Sequence, residues 1–123
     1  MPEFQKNCTV ITGEQPARGL LRLRLAAPEI AAAVRPGQFV MVACGADRDP
    51  LLRRPLSVHN AEAGATIDLL VRVLGRGTAA LARLRAGDTL SVLGPLGRGF
   101  GEAQEGAEVL LVGGGIGCAP LLL

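Results

Sequence analysis

The sequence predicts a mainly β fold: a six-stranded antiparallel (Greek-key) barrel with one short helix, followed by the first strand of an α/β domain. Three observations carry this. Short apolar runs recur along the chain, each bounded by Gly, Pro, Asp or Asn. A single stretch around Leu81 has helical spacing with capping residues at its ends. Near the C-terminus a continuous apolar run meets a glycine cluster, as a strand buried on both faces of a parallel sheet does.

The first run is Val10 to Thr12. From Leu20 to Leu25, Leu21, Leu23 and Leu25 alternate with Arg22 and Arg24, the period of a half-buried strand. Arg35-Pro36-Gly37-Gln38 reads as a turn feeding the third strand, Phe39 to Ala43. Pro55 to His59, Ile67 to Val73 and Thr89 to Leu93 complete the six, the count of a small barrel. Between the last two lies the helix, Gly77 to Gly87: Thr78 serves as N-cap, Leu81 and Leu84 share a face, Arg83 and Arg85 suit the last turn, and Gly87 ends it. Gly94 to Gly101, with four glycines and a proline, is an ordered loop or a hinge. Then Glu108-Val109-Leu110-Leu111-Val112 runs into Gly113-Gly114-Gly115-Ile116-Gly117, which is how a dinucleotide domain begins. The expected organisation is a barrel domain over 1–101, a linker over 102–107 and, over 108–123, the start of a truncated nucleotide-binding domain. A parallel strand without a sheet has three courses: to lie against the barrel, to pair with another copy, or to stay disordered.

Composition narrows the function. The chain has 123 residues and a formal net charge of +2, and 49% apolar content supplies material for one core. All but one of the 13 cations are arginine, scattered with no basic run to track a polyphosphate, and there is no Trp or Tyr and only three Phe on which bases could stack. Nucleic acid is therefore not an expected partner. Cys8, Cys44 and Cys118 form neither a CxxC pair nor an even disulfide framework, which points to reduced thiols and no metal site. No export signal and no membrane-spanning run is present, so a cytoplasmic, non-membrane location is expected.

Two constellations could carry chemistry. In Leu51-Leu52-Arg53-Arg54-Pro55-Leu56-Ser57-Val58, strand alternation sends Arg53 and Arg54 to opposite faces, and the following proline holds Arg54 extended. A guanidinium fixed in that way can fork onto a phosphate, and the Ser57 hydroxyl can bond a heteroaromatic edge. The alternative is an edge strand with solvated arginines. In Leu70-Val71-Arg72-Val73-Leu74-Gly75-Arg76-Gly77-Thr78 a strand opens into the helix, whose first N–H groups and Thr78 hydroxyl can bind an anion, unless Thr78 is only a cap. His59 reads as surface or structural, Asp88 as a turn residue, and Phe100 either as a stacking ring or as a plug of its loop. No side chain reads as a catalytic acid, base or nucleophile.

With Leu-Leu-Arg-Arg-Pro-Leu-Ser, Gly-Arg-Gly-Thr, Leu-Gly-Pro-Leu-Gly-Arg-Gly-Phe and Gly-Gly-Gly-Ile-Gly-Cys-Ala-Pro-Leu in this order, the chain resembles the ferredoxin reductase superfamily along its whole length. Within it, the resemblance is to the electron-transfer subunits of heterotetrameric, NAD-linked dihydroorotate dehydrogenases. The resemblance implies a barrel that binds FAD, with Arg54, Pro55, Leu56 and Ser57 on the flavin and its phosphates. It implies Leu70, Val71 and Arg72 flanking ring and phosphates, and Gly77 with Thr78 at the pyrophosphate. In the full-length parent it implies NAD(H), a 2Fe-2S centre and a dihydroorotate dehydrogenase catalytic subunit as partner, in pyrimidine biosynthesis. Leu56 stands where many members of the superfamily carry an aromatic residue, and the three cysteines are not the cluster ligands. A subunit of a sulfide dehydrogenase or a ferredoxin:NADP reductase carries the same motifs. A flavin-free barrel serving as an interaction module is the reading from another class, and an oligonucleotide-binding barrel is disfavoured by the lack of aromatics. With most of the nucleotide domain and the cluster region outside the sequence, the chain is expected to bind FAD but not NAD.

Overall fold

The computed structural model describes residues 3–44 and 52–123; Leu51 of the arginine motif lies outside the described residues. Six strands form: β1 (Phe4–Ala17), β2 (Leu20–Ala26), β3 (Phe39–Val42), β4 (Arg54–Glu62), β5 (Thr66–Arg72) and β6 (Thr89–Leu96). They close into a barrel in the order β1-β2-β5-β4-β3-β6, and each neighbouring pair is antiparallel. Alternation explains the closure. On β2 every second residue is buried (Leu21, Leu23, Leu25), and Ile67, Leu69 and Val71 of β5 and Val40 and Val42 of β3 meet them inside. On the outer face Arg24 of β2 forks onto its register partner Asp68 of β5 at 2.8 and 3.0 Å, which raises the guanidinium pKa through that hydrogen bond.

Besides β1, which runs Phe4–Ala17 where Val10 to Thr12 was expected, four elements differ from the sequence expectation. Two helices form where one was expected: α1 (Pro28–Ala33) begins with proline in its first turn and buries Ile30 and Ala31 against the barrel. The expected helix is α2 (Arg76–Ala82), one residue earlier at its start and shorter at its end. Gly75 is its N-cap, its carbonyl accepting from Ala79 N–H at 2.8 Å, so Thr78 sits inside the first turn and is not the cap. The helix stops before Gly87, which at φ 94° belongs to the Arg85–Asp88 turn; there Asp88 accepts from Arg85 N–H, as a turn residue. β6 continues through Gly94 and Pro95, residues expected in the following loop. Gly94 is needed there because a Cβ would come within 2.7 Å of Val40.

The fourth difference is the C-terminal segment. Residues 108–112 are not a strand. Val109 to Val112 are 61 to 87% exposed, and among the described residues no strand pairs with them. The glycines that follow lead into a 3-10 helix, Gly115–Leu121, which lies against β4 and β5 with Ala119 buried. Of the three courses open to the tail, this part takes the first.

Candidate functional site

The site is a cleft where two paired strands part. β4 and β5 are in register from Glu62–Thr66 to Val58–Leu69, and beyond that pair β4 stays with β3 alone. The sequence gives the reason. Val58 N–H donates to Gln38 O on the β3 side, so by alternation the backbone groups of Pro55 and Ser57 face β5, and proline has no N–H to offer the ladder. The opening is lined by Pro55, Leu56 and Ser57 on one wall and by Leu70 and Arg72 on the other, with Val71 between them buried in the barrel core and so turned away from it. Ile116, Gly117, Ala119 and Pro120 of the tail complete a cavity of 390 Å³, with Leu74 and Thr78 at its end. His59 holds the tail there: its Nδ1–H donates to the Ala119 carbonyl at 2.7 Å. Since a carbonyl only accepts, the bond places the ring proton on Nδ1.

Arg53 and Arg54 part company as alternation requires. Arg53 donates to Met41 O at 3.3 Å, Ser91 O at 3.2 Å and Ser91 Oγ at 2.8 Å, tying β3 to β6. Arg54 turns the other way and lies on Gly77, the buried glycine in the first turn of α2, with Nη1 donating to Leu52 O at 3.0 Å. A Cβ on Gly77 would stand 3.1 Å from Arg54 Nε and 3.4 Å from Cys44 Sγ, so only glycine lets the guanidinium and the helix start meet. The Thr78 hydroxyl accepts from Leu74 N–H at 2.9 Å and Gly75 N–H at 3.0 Å and donates to Gly75 O at 3.2 Å. It holds the loop before the helix and lines the cleft, whereas Arg54 and Gly77, the sequence neighbours of the lining Pro55 and Thr78, are not themselves lining residues.

Residues 9–100 match the oxidoreductase FAD-binding domain family. The chain belongs to that family. Its cleft has the groups a flavin nucleotide needs: an apolar lining that includes Leu56 and Leu70, a serine whose backbone faces the opening, and, next to the lining Pro55 and Thr78, the Arg54 guanidinium packed on Gly77. The volume lies within the ~300–1,000 Å³ of small-molecule sites.

Among relatives of this FAD-binding domain, the dihydroorotate dehydrogenase B (NAD(+)) electron transfer subunit of Desulforamulus reducens is 48% identical over 97 residues, covering 78% of this chain and 37% of its own. The subunit of the same name from Shouchella clausii is 41% identical over 124 residues, covering 98% and 48%. The chain thus spans less than half the length of these relatives. The structure of an NADH-dependent reduced ferredoxin-NADP oxidoreductase superposes on 93% of this chain and 41% of its own with a TM-score of 0.83 at 31% identity. An Amycolatopsis cytochrome P450 reductase superposes on 98% and 38%, with a TM-score of 0.81 at 28% identity.

Sequence reasoning named residues on both strands that line this FAD-binding domain's cleft, and Thr78, but not the tail that covers it. Leu74, Ile116, Gly117, Ala119 and Pro120 line it, but the glycine-rich run carrying most of them reads locally as the start of a separate unit. Phe100 lies outside the cavity, against Gly37 with its N–H on Pro36 O at 2.9 Å, but it is 60% exposed, so it neither lines the cavity nor plugs the loop. Gln38, expected only as the last residue of its turn, is buried and joins that turn to the loop, accepting from Arg35 N–H and donating to Gly97 O at 2.7 Å. All three cysteines are free thiols; burial pushes the pKa of Cys8 and Cys44 up, opposed at Cys44 by the Arg54 charge. Among the described residues no group of His, Cys, Asp or Glu could hold a metal, and no helix is long and apolar enough to cross a membrane.

Proposed function

We propose that this domain holds the flavin of an electron-transfer subunit that serves a dihydroorotate dehydrogenase. One observation carries the reading: Arg54 laid on Gly77 at the start of α2, beside Pro55 and Thr78, which line an apolar cleft that opens where Pro55 releases β4 from β5. In this reading Arg54 forks onto the pyrophosphate, aided by the first-turn amides of Gly77 and Thr78. Leu56 and Leu70 flank the ring while Val71, its side chain in the core, offers only backbone there, Ser57 bonds the ring's edge, and Arg72 adds positive charge at the cavity wall. FAD, when bound, supplies the exchange between hydride and single-electron chemistry. The protein positions the ring and keeps water from it; no side chain acts as acid or base.

The division into a barrel over 1–101, a linker over 102–107 and the beginning of a nucleotide-binding domain over 108–123 belongs to the same proposal. The exposed apolar run Val109–Val112 supports it, since such a run suits the inside of a sheet. NAD(H) as donor or acceptor, a 2Fe-2S centre and a dihydroorotate dehydrogenase catalytic subunit as partner follow from the names of the relatives and from the resemblance. Pyrimidine biosynthesis in the cytoplasm follows in turn. The reading is tested on the purified chain, which without Trp or Tyr hardly absorbs at 280 nm. A yellow preparation with flavin bands near ~450 nm, releasing FAD on denaturation, supports it. A colourless chain that takes up no FAD on titration refutes it.

A further inference from the structure

The flavin cleft takes nothing from the glycine-rich motif at the end of β6: no residue from Leu93 to Phe100 lines it. The motif is nevertheless held in place. The buried Gln38 side chain accepts from Arg35 N–H at 2.8 Å and donates to Gly97 O at 2.7 Å, and Phe100 N–H donates to Pro36 O at 2.9 Å. These bonds clamp the 35–38 turn to the 97–101 loop. Two glycines permit the contact: a Cβ on Gly99, at φ 78°, would stand 2.6 Å from Pro36 O, and one on Gly37, at φ 89°, 2.8 Å from Phe100 N.

The clamp presents Arg35, Arg98 and Phe100 to solvent. Arg35 and Arg98 line a cleft of 250 Å³ together with Glu102, and neither guanidinium has a side-chain partner among the described residues, Glu102 included. Phe100 stands between the lining Gly99 and Gly101, with its ring against Gly37 and 60% of its surface exposed. The volume decides what can enter. It falls below the ~300–1,000 Å³ of small-molecule sites, but it has room for one side chain. Two unpaired guanidiniums call for a carboxylate, and the opposing Glu102 disfavours a ligand of higher negative charge. Arginine and exposed aromatic rings are the types enriched where proteins dock. Because the loop is already clamped, docking gives up little conformational entropy.

We propose that Arg35, Arg98 and Phe100 form a docking surface for a partner protein, which inserts an Asp or Glu side chain between the two arginines and packs an apolar side chain on Phe100. For the identity of that protein, the catalytic subunit that exchanges electrons with this domain, the inference rests on the reading above. The surface shares no lining residue with the flavin cleft, so the two affinities are read separately.

The experiment titrates the dihydroorotate dehydrogenase catalytic subunit of the same organism into the chain, and FAD into the chain in a parallel series. Wild type is compared with Arg98→Gln, Phe100→Ala, Glu102→Gln and Arg83→Gln, the last an exposed arginine outside the cleft that controls for net charge. Arg98→Gln and Phe100→Ala each weaken the subunit about tenfold, and Glu102→Gln strengthens it about threefold. The two charge effects shrink as salt rises, and FAD affinity is the same in every variant. Losses matched by Arg83→Gln, a weakening by Glu102→Gln, or unchanged affinity in Arg98→Gln overturn the surface. Self-association of wild type that Arg98→Gln abolishes also overturns it, because a second copy is then the occupant. A chain that binds FAD but not the subunit overturns the surface alone, whereas one that binds the subunit but not FAD refutes the flavin reading instead.

Discussion

Replacing His59 by alanine tests how the tail is held over the cleft. The Nδ1 to Ala119 O bond of 2.7 Å is a direct polar tie between β4 and the 3-10 helix, and Ala119 is only 3% exposed. Its removal leaves a buried carbonyl without a donor, a cost of about 1–3 kcal/mol. The remaining anchors are apolar: Ala119 itself, the half-buried Ile116 and Pro120, and Leu123 packed on the core. A loss of 1–2 kcal/mol raises the open population of the tail by a factor of roughly 5–30. None of the barrel ladders runs through the tail, so the barrel itself should be spared. Amide hydrogen exchange reads both quantities in one sample. Exchange over 115–121 should accelerate by that factor in His59→Ala, with β2 and β5 amides unchanged. His59→Asn, whose Nδ2 falls close to the imidazole Nδ1, should recover most of the protection. Unchanged exchange in the tail, or equal acceleration in β2 and β5, would refute the argument that this one bond latches the tail.

The other predictions concern the site and its surroundings. Arg54→Ala should weaken FAD by roughly 1.5–3 kcal/mol in a fluorescence titration, whereas Arg53→Ala, which cuts the bonds to Met41 and Ser91, should lower the melting temperature and leave affinity nearly intact. Equal affinity losses would contradict the opposite placement of the two side chains. Thr78→Val should cost about 1 kcal/mol of stability by freeing the Leu74 and Gly75 N–H groups, and Thr78→Ser should restore it; denaturant midpoints decide. With an aromatic disulfide reagent at neutral pH, exposed Cys118 should react rapidly and Cys8 and Cys44 slowly. Burial raises the last two pKa values, so their thiolate fractions, and with them their rates, should climb only at pH above the ordinary thiol range, and unfolding should release all three. Fast reaction of three thiols in the native chain would sink that assignment.

The sequence by itself determined the barrel and pointed to residues of the two strands that line the proposed site. Leu21, Leu23 and Leu25 alternate with arginines, and an alternation of period two has only one way to hide its apolar half. Arg54 before Pro55 and the turn Arg35–Gln38 are equally local, because proline and glycine restrict the backbone wherever they occur. β1 is different. Only Cys8 and Val10 of its residues are buried, and it extends from Phe4 to Ala17 because β2 and β6 supply ladders on its two sides, partners distant in sequence. The first residue of α2 likewise depended on which carbonyl, that of Gly75, receives the first helical N–H. The tail shows the division most plainly. Val109 to Val112 have the composition of a buried strand, but a strand takes its hydrogen bonds from neighbours, and local composition cannot provide them. Tertiary structure decided instead that the glycines beyond it would fold back, present Ala119 to His59, and close the cleft opened by Pro55.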